Sequence, residues 1–119
     1  MKTKVNKSRK ILIINTFLLM LSIIMWGCSK SGSSATPGAN EVFIQGMAFT
    51  PGSITVAANT TITWTNKDNV AHTVTSNTGL FDSGTINPNG TYPHLFTSAG
   101  TYPYHCTIHP NMTASVVVN

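Results

Sequence analysis

The sequence GTYPYHCTIHPNM, residues 100–112, combines a strand pattern with a loop that carries three potential metal ligands. Side chains in a β-strand alternate between two faces, so Tyr102, Tyr104 and Cys106 share one face and His105 points to the other. Cys106 therefore continues an apolar row to the end of its strand. Its partners should lie at that end of the fold.

Residues 106–112, here called the ligand loop, place a thiol, an imidazole and a thioether three residues apart. These groups belong to Cys106, His109 and Met112. Pro110 interrupts any helix or ladder, which predicts a tight loop that can turn all three groups inward. A thiolate, an imidazole and a weak thioether belong to the ligand set of a trigonal copper site with a long axial sulfur. The spacing predicts such a site.

A fourth ligand must come from the remaining histidines. His105 adjoins the cysteine in a strand, which predicts a position on the other face. His94 lies in a strand pattern with apolar neighbours, which favours a packed or hydrogen-bonded histidine. His72 opens a β-branched run after the polar turn at 66–69, so it can reach the ligand loop from a strand end. His72 ranks first, and the chain has four histidines in all: His72, His94, His105 and His109.

The 79 residues from Glu41 to Asn119 suffice for one small core. Helical periodicity is hard to find there, whereas β-branched and aromatic runs recur between turn signals. About seven short strands at this spacing predict an all-β antiparallel sandwich or barrel. The runs are 42–44, 54–56, 61–64, 72–75, 92–96, 101–106 and 114–118.

The first 27 residues have the pattern of an export signal. Residues 1–10 hold five basic residues, and the next sixteen, 11–26, are uncharged and mostly apolar. A helix that spans a membrane needs about 20 apolar residues, and this run is shorter. A signal anchor, which stays in the membrane, is the alternative. We therefore expect an exported protein, periplasmic or at the cell surface.

Cys28 follows the apolar run directly and resembles the lipidated cysteine of bacterial lipoproteins. That resemblance implies lipidation of Cys28 and tethering to a membrane, since several acyl chains anchor firmly. The following stretch to Asn40 is rich in Ser, Gly, Ala and Pro, which predicts a flexible tether over 28–40. The alternatives are an ordinary secretory signal and a disulfide between Cys28 and Cys106.

The formal charge of +4 is concentrated in the predicted signal. From Cys28 onward the chain has two basic residues, Lys30 and Lys67, and three acidic residues, which gives a formal charge of −1. Nucleic-acid binding requires a basic patch. The composition therefore excludes a nucleic-acid partner.

Several short motifs in order resemble the cupredoxins, in particular the amicyanin and plastocyanin-like branch. The ligand loop has the short C-x2-H-x2-M spacing of amicyanin, whereas plastocyanin has more residues before its methionine. The resemblance covers essentially all of 41–119 and implies a Greek-key β-sandwich of seven to eight strands. The matching stretches are Phe49–Pro51, Thr63–Asn66, Ala71–Val74, Phe81–Gly84 and Gly100–Met112.

The resemblance implies one type 1 copper ion. Its equatorial ligands would be His72, Cys106 and His109, and Met112 would be the axial ligand. The carbonyl of Ala71 would face the other axial side. The family often has Asn after the first histidine, where it helps to tie the two ligand-bearing loops together.

This chain has Thr73 at that position, so its hydroxyl must supply the link or leave it weaker.

The resemblance implies a blue copper protein that carries single electrons between a redox donor and an acceptor, and a monomer. Four ligands leave no open position for water or substrate, so we expect no Lewis-acid catalysis and no enzyme. The ring edge of His109, beside Pro110 and close to Val70 and Ala71, is the predicted electron port.

Other functions remain open. Copper buffering or delivery could use the same ligands. A detached multicopper-oxidase domain would need a further pair of histidines, which neither His94 nor His105 supplies in a suitable motif. Zinc prefers four strong ligands, and an immunoglobulin-like module would need no Cys-His-Met loop.

Overall fold

A computed structural model describes residues 35–119 of the chain. The predicted export signal at 1–27, the predicted lipidation of Cys28 and the tether as far as Ser34 lie outside the described residues. Within 35–119 the chain forms no helix that could cross a membrane.

Eight strands form two four-stranded sheets, in the orders β2-β1-β4-β6 and β3-β8-β7-β5. The all-β sandwich predicted from the sequence is confirmed. The strands are β1 (Glu41–Ile44), β2 (Phe49–Thr50), β3 (Ser53–Val56), β4 (Thr60–Asn66), β5 (Thr75–Ser76), β6 (Thr91–Phe96), β7 (Gly100–His105) and β8 (Thr113–Val118).

The sheets are mixed rather than purely antiparallel. β1 pairs with β4 in parallel, and β3 pairs with β8 in parallel, while the other pairs are antiparallel. Parallel neighbours need a crossover connection. Here the chain leaves the first sheet after β2, forms β3 in the second sheet, and returns as β4 beside β1.

The core between the sheets is centred on Trp64, which has no exposed surface. Its ring lies 5.5 Å from that of Tyr104 in an edge-on arrangement, and its Nε1–H donates to the Tyr104 hydroxyl oxygen at 3.1 Å. Burial raises the pKa of Tyr104 to about 12, against the opposing effect of this hydrogen bond. One side-chain pair from β4 and β7 therefore joins the two sheets.

The predicted strand at 72–75 is largely irregular. His72 forms only an isolated bridge with Ile86, and regular pairing begins at Thr75. Val74 explains why, because its N–H donates to Ser83 Oγ and its carbonyl accepts from Ser83 N–H, which leaves no ladder partner. The short strand β2 was also absent from the sequence prediction.

The last residues of the predicted tether contact the domain. The Asn40 carbonyl accepts from the Thr63 N–H at 3.0 Å, and the Gly38 N–H donates to Glu41 Oε2 at 3.3 Å.

Candidate metal centre

Three side chains from two loops converge at one end of the sandwich. The Nδ1 atoms of His72 and His109 are 3.2 Å apart. Cys106 Sγ lies 3.8 Å from the first and 3.9 Å from the second. These three residues form the one cluster of potential metal ligands among the described residues 35–119.

The spacing of these atoms fits a single first-row metal ion. Cys and His donors keep about 2.0–2.3 Å from such an ion, so donors bound to one ion must lie within about twice that distance of each other, as these do. The mixture of thiolate and imidazole favours a soft metal such as copper. The arrangement therefore suits a copper ion held by two nitrogens and one sulfur.

The ligand loop is closed on itself by backbone hydrogen bonds. The Cys106 N–H donates to the Met112 carbonyl at 3.0 Å, and the Met112 N–H donates to the His109 carbonyl at 2.9 Å. These bonds hold the three predicted ligands in one turn. The Met112 side chain is buried in the core cluster that also contains Cys106, and its axial role stays a prediction.

His72 is fully buried, and both of its backbone polar groups are hydrogen-bonded. Its N–H and carbonyl exchange hydrogen bonds with Ile86, at 3.1 and 2.8 Å. The buried amide of Asn66 donates to the carbonyls of Val70 and Ile86, which shapes the turn leading to His72. The polar turn noted in the sequence thus sets the position of this ring.

Thr73 links the two loops through both its backbone and its hydroxyl. Its N–H donates to Cys106 Sγ at 3.3 Å. Its Oγ1 accepts from the Thr107 N–H at 2.8 Å and is 3.0 Å from Thr107 Oγ1 and from Thr75 Oγ1. The threonine hydroxyl thus joins the His72 segment to the start of the ligand loop.

Asp68 contacts His72 of the donor cluster and is not among the residues predicted from the sequence. Its Oδ2 lies 3.0 Å from His72 Nε2. Burial acts to raise its pKa, but hydrogen bonds from the Met47 and Gly46 amides and the contact with His72 together hold the pKa of Asp68 below its usual value. The signal in the sequence was a carboxylate four residues before the candidate ligand.

The other two histidines lie away from the cluster. His94 packs between Phe81 and Phe96, each ring at 4.8 Å, and burial lowers its pKa. His105 Nδ1 is 2.6 Å from Asn77 Oδ1 on the opposite face of β7.

The surface above the cluster is apolar and includes His109, the partly exposed member of the three. A shallow depression there is lined by Met47, Ile108, His109, Pro110, Asn111 and Met112. Met47 and Ile108 are 46% and 47% exposed, and Val70, two residues before His72, is 42% exposed. Ala71 is half-buried.

Comparisons with known proteins agree with this description. The model of the Cupredoxin-like domain family matches residues 17–118. Amicyanin-alpha of Methylorubrum extorquens is 33% identical over 97 residues, covering 77% of this chain and 82% of that protein. Amicyanin of Paracoccus denitrificans is 32% identical over 93 residues, covering 74% of this chain and 71% of that protein.

Two solved structures extend the similarity to three dimensions. A Cu(I) form of an amicyanin variant matches with a TM-score of 0.65 and 33% identity, covering 72% of this chain and 87% of that one. A purple cupredoxin from Nitrosopumilus maritimus matches with a TM-score of 0.62 and 29% identity, covering 66% and 98%.

The resemblance drawn from the sequence motifs is therefore confirmed, together with the fold class it implied. The prediction of copper as the cofactor is also confirmed, since the family match and the Cys-His-His donor cluster agree. This chain belongs to the cupredoxin-like family.

Proposed function

We propose that this protein is a one-electron carrier whose copper ion is held by His72, Cys106 and His109, with Met112 as the axial ligand. The observation that carries the proposal is the convergence of one Sγ and two Nδ1 atoms within 3.2–3.9 Å. A copper ion held there would take one electron from a donor, becoming Cu(I), and give it to an acceptor, returning to Cu(II).

The surrounding residues favour electron transfer because they restrict movement of the donors. His72 and Cys106 are fully buried, and Met112 is 5% exposed. Thr73 and the closed ligand loop hold the donors in place by hydrogen bonds. A site that changes little between two oxidation states has a small reorganisation cost, which favours rapid electron transfer.

Electrons would enter and leave through His109, the predicted electron port. Its ring is the partly exposed member of the donor set, and Met47, Ile108 and Pro110 line the same depression and supply apolar surface there. A docking partner with a matching apolar surface would approach without a strong charge requirement, because the formal charge from Cys28 onward is only −1. The donor and acceptor are redox proteins on this proposal.

The same donors could serve copper delivery, but their burial counts against it. A delivery site must exchange its ion with a partner, whereas two of the three donors here have no exposed surface. Rapid transfer of Cu(I) from the protein to a chelator would favour delivery over electron transfer.

We also propose that the protein is exported and tethered through lipidated Cys28. The support is the basic segment at 1–10, the uncharged run at 11–26 and the cysteine that follows it. The similarity to amicyanins supports an exported protein, and lipidation is a further step that rests on the sequence pattern.

Replacing His109 with glycine and adding imidazole tests the electron port. Added imidazole should restore the copper spectrum, while electron self-exchange falls at least about tenfold, the effect of about 1.4 kcal/mol on the barrier. The reason is that free imidazole replaces the His109 ring as the ligand at the surface. Because this ring is not attached to the chain, it gives a less well-ordered path for the electron. Self-exchange rates are measured by NMR on mixtures of oxidised and reduced protein.

Leu95→Ala is the matched control, because Leu95 is exposed on β6 and pairs with Thr61, away from the ligand loop. It should leave self-exchange unchanged. Restored spectrum with an unchanged rate in His109→Gly would rule out His109 as the port. Failure of the copper-loaded wild type to undergo reversible one-electron reduction would rule out the carrier function.

A further inference from the structure

The carboxylate of Asp68 lies between His72 of the Cys-His-His donor cluster and the neighbouring turn at Gly46–Met47. Its Oδ1 accepts from the Gly46 N–H at 2.6 Å. Its Oδ2 accepts from the Met47 N–H at 3.0 Å and lies 3.0 Å from His72 Nε2. The side chain is only 13% exposed, so these contacts are largely shielded from water.

Two of its three partners are backbone N–H groups, which can only donate hydrogen bonds. An ionised carboxylate can only accept them. With His72 as the third partner, Nε2 must therefore carry the proton that points to Asp68. A neutral imidazole has one protonated nitrogen, so Nδ1 is left as a free lone pair facing Cys106 and His109.

The same carboxylate also fixes the turn between β1 and β2. Gly46 and Met47 both have positive φ angles, 63° and 60°, so their N–H groups turn together toward one acceptor. Met47 lines the depression beside His109. Asp68 thus contacts the buried ligand on one side and the rim of the electron port on the other.

We propose that Asp68 is a positioning residue that holds His72 in the Nε2–H tautomer, ready to bind copper through Nδ1, and ties the Gly46–Met47 turn to the same ring. The proposal rests on the proposed copper site at His72. A residue that merely stabilised the turn would leave the His72 tautomer unchanged, so the tautomer separates the two roles.

The first measurement is ¹⁵N NMR of the histidine rings in the metal-free wild-type protein at about pH 8, where ordinary imidazoles are neutral. We expect the His72 signals of an Nε2–H ring. A ring protonated at Nδ1 would overturn the proposal without any variant. This readout needs no copper, so a protein that bound no copper would contradict the proposed function but not this role.

The second measurement uses Asp68→Asn. An amide has one acceptor oxygen and an NH₂ group, so it cannot accept from both Gly46 and His72. Because the Gly46 N–H can only donate, the amide oxygen should turn toward it and the NH₂ group toward His72, so we expect partial or complete loss of the Nε2–H tautomer. We also expect weaker copper binding by about 10–100-fold, the usual effect of losing a partner of a metal-bound histidine.

Glu41→Gln is the matched control, since it removes the same charge at the other end of β1, where Glu41 contacts Gly38 and Thr65. Chelator competition gives the copper dissociation constant of each protein. An Asp68→Asn protein with the wild-type His72 tautomer and a constant within twofold of Glu41→Gln would overturn the proposal. If Asp68→Asn does not fold, the ¹⁵N NMR measurement of the His72 tautomer in the wild-type protein tests the proposal by itself.

Discussion

Replacing Cys106 with serine is expected to abolish the intense visible absorption of the copper-loaded protein. That absorption arises from charge transfer between a thiolate and Cu(II), and Cys106 supplies the one thiol in the donor cluster. A serine hydroxyl is a harder donor than a thiolate and has no sulfur from which charge can transfer to Cu(II). Any copper that remains should therefore show only weak visible bands and a wider copper hyperfine splitting. Absorption and electron spin resonance spectra measure both changes.

Cys28→Ser is the matched control, because Cys28 is the other cysteine of the chain. We expect its copper spectrum to equal that of the wild type. Survival of the intense band in Cys106→Ser would contradict the ligand assignment. Loss of the band in Cys28→Ser would show that the sulfur ligand had been assigned to the wrong residue.

Replacing Trp64 with alanine is expected to destabilise the domain by about 3–5 kcal/mol, the usual cost of deleting a buried aromatic ring. Trp64 has no exposed surface and contacts aromatic rings from both sheets. Tyr104 also loses the donor to its buried hydroxyl. Chemical denaturation of the metal-free protein measures the free energy of unfolding without the contribution of bound copper.

Two further variants separate the causes of this effect. Trp64→Phe keeps a ring in the core but removes the Nε1–H, so we expect a smaller loss than for alanine. Leu95→Ala truncates an exposed side chain and should change stability by less than about 0.5 kcal/mol. A Trp64→Ala protein as stable as Leu95→Ala would contradict the placement of Trp64 at the centre of the core.

The ligand loop could be predicted from the sequence because its information is local. The spacing of Cys106, His109 and Met112 and the interruption at Pro110 all lie within seven residues. The alternation in β7 was equally local, and Tyr104 and Cys106 are both buried. The fold class followed from repeated short strands for the same reason.

Features that depend on distant pairing could not be predicted in this way. The parallel pairs exist because the chain crosses between sheets at β3, and no local pattern encodes that crossing. His72 was selected by elimination and by resemblance, since its position depends on Ile86 and Asn66. Asp68 has an ordinary sequence context, and its role appears only when the β1–β2 turn is brought beside it.

The most direct test of the proposed centre is X-ray absorption at the copper edge of the loaded wild-type protein. We predict one copper per chain, with two nitrogen donors and one sulfur donor at about 2.0–2.3 Å, the range that His and Cys keep with a similar ion. A spectrum fitted by nitrogen and oxygen donors alone, with no sulfur at that distance, would contradict a site built from His72, Cys106 and His109.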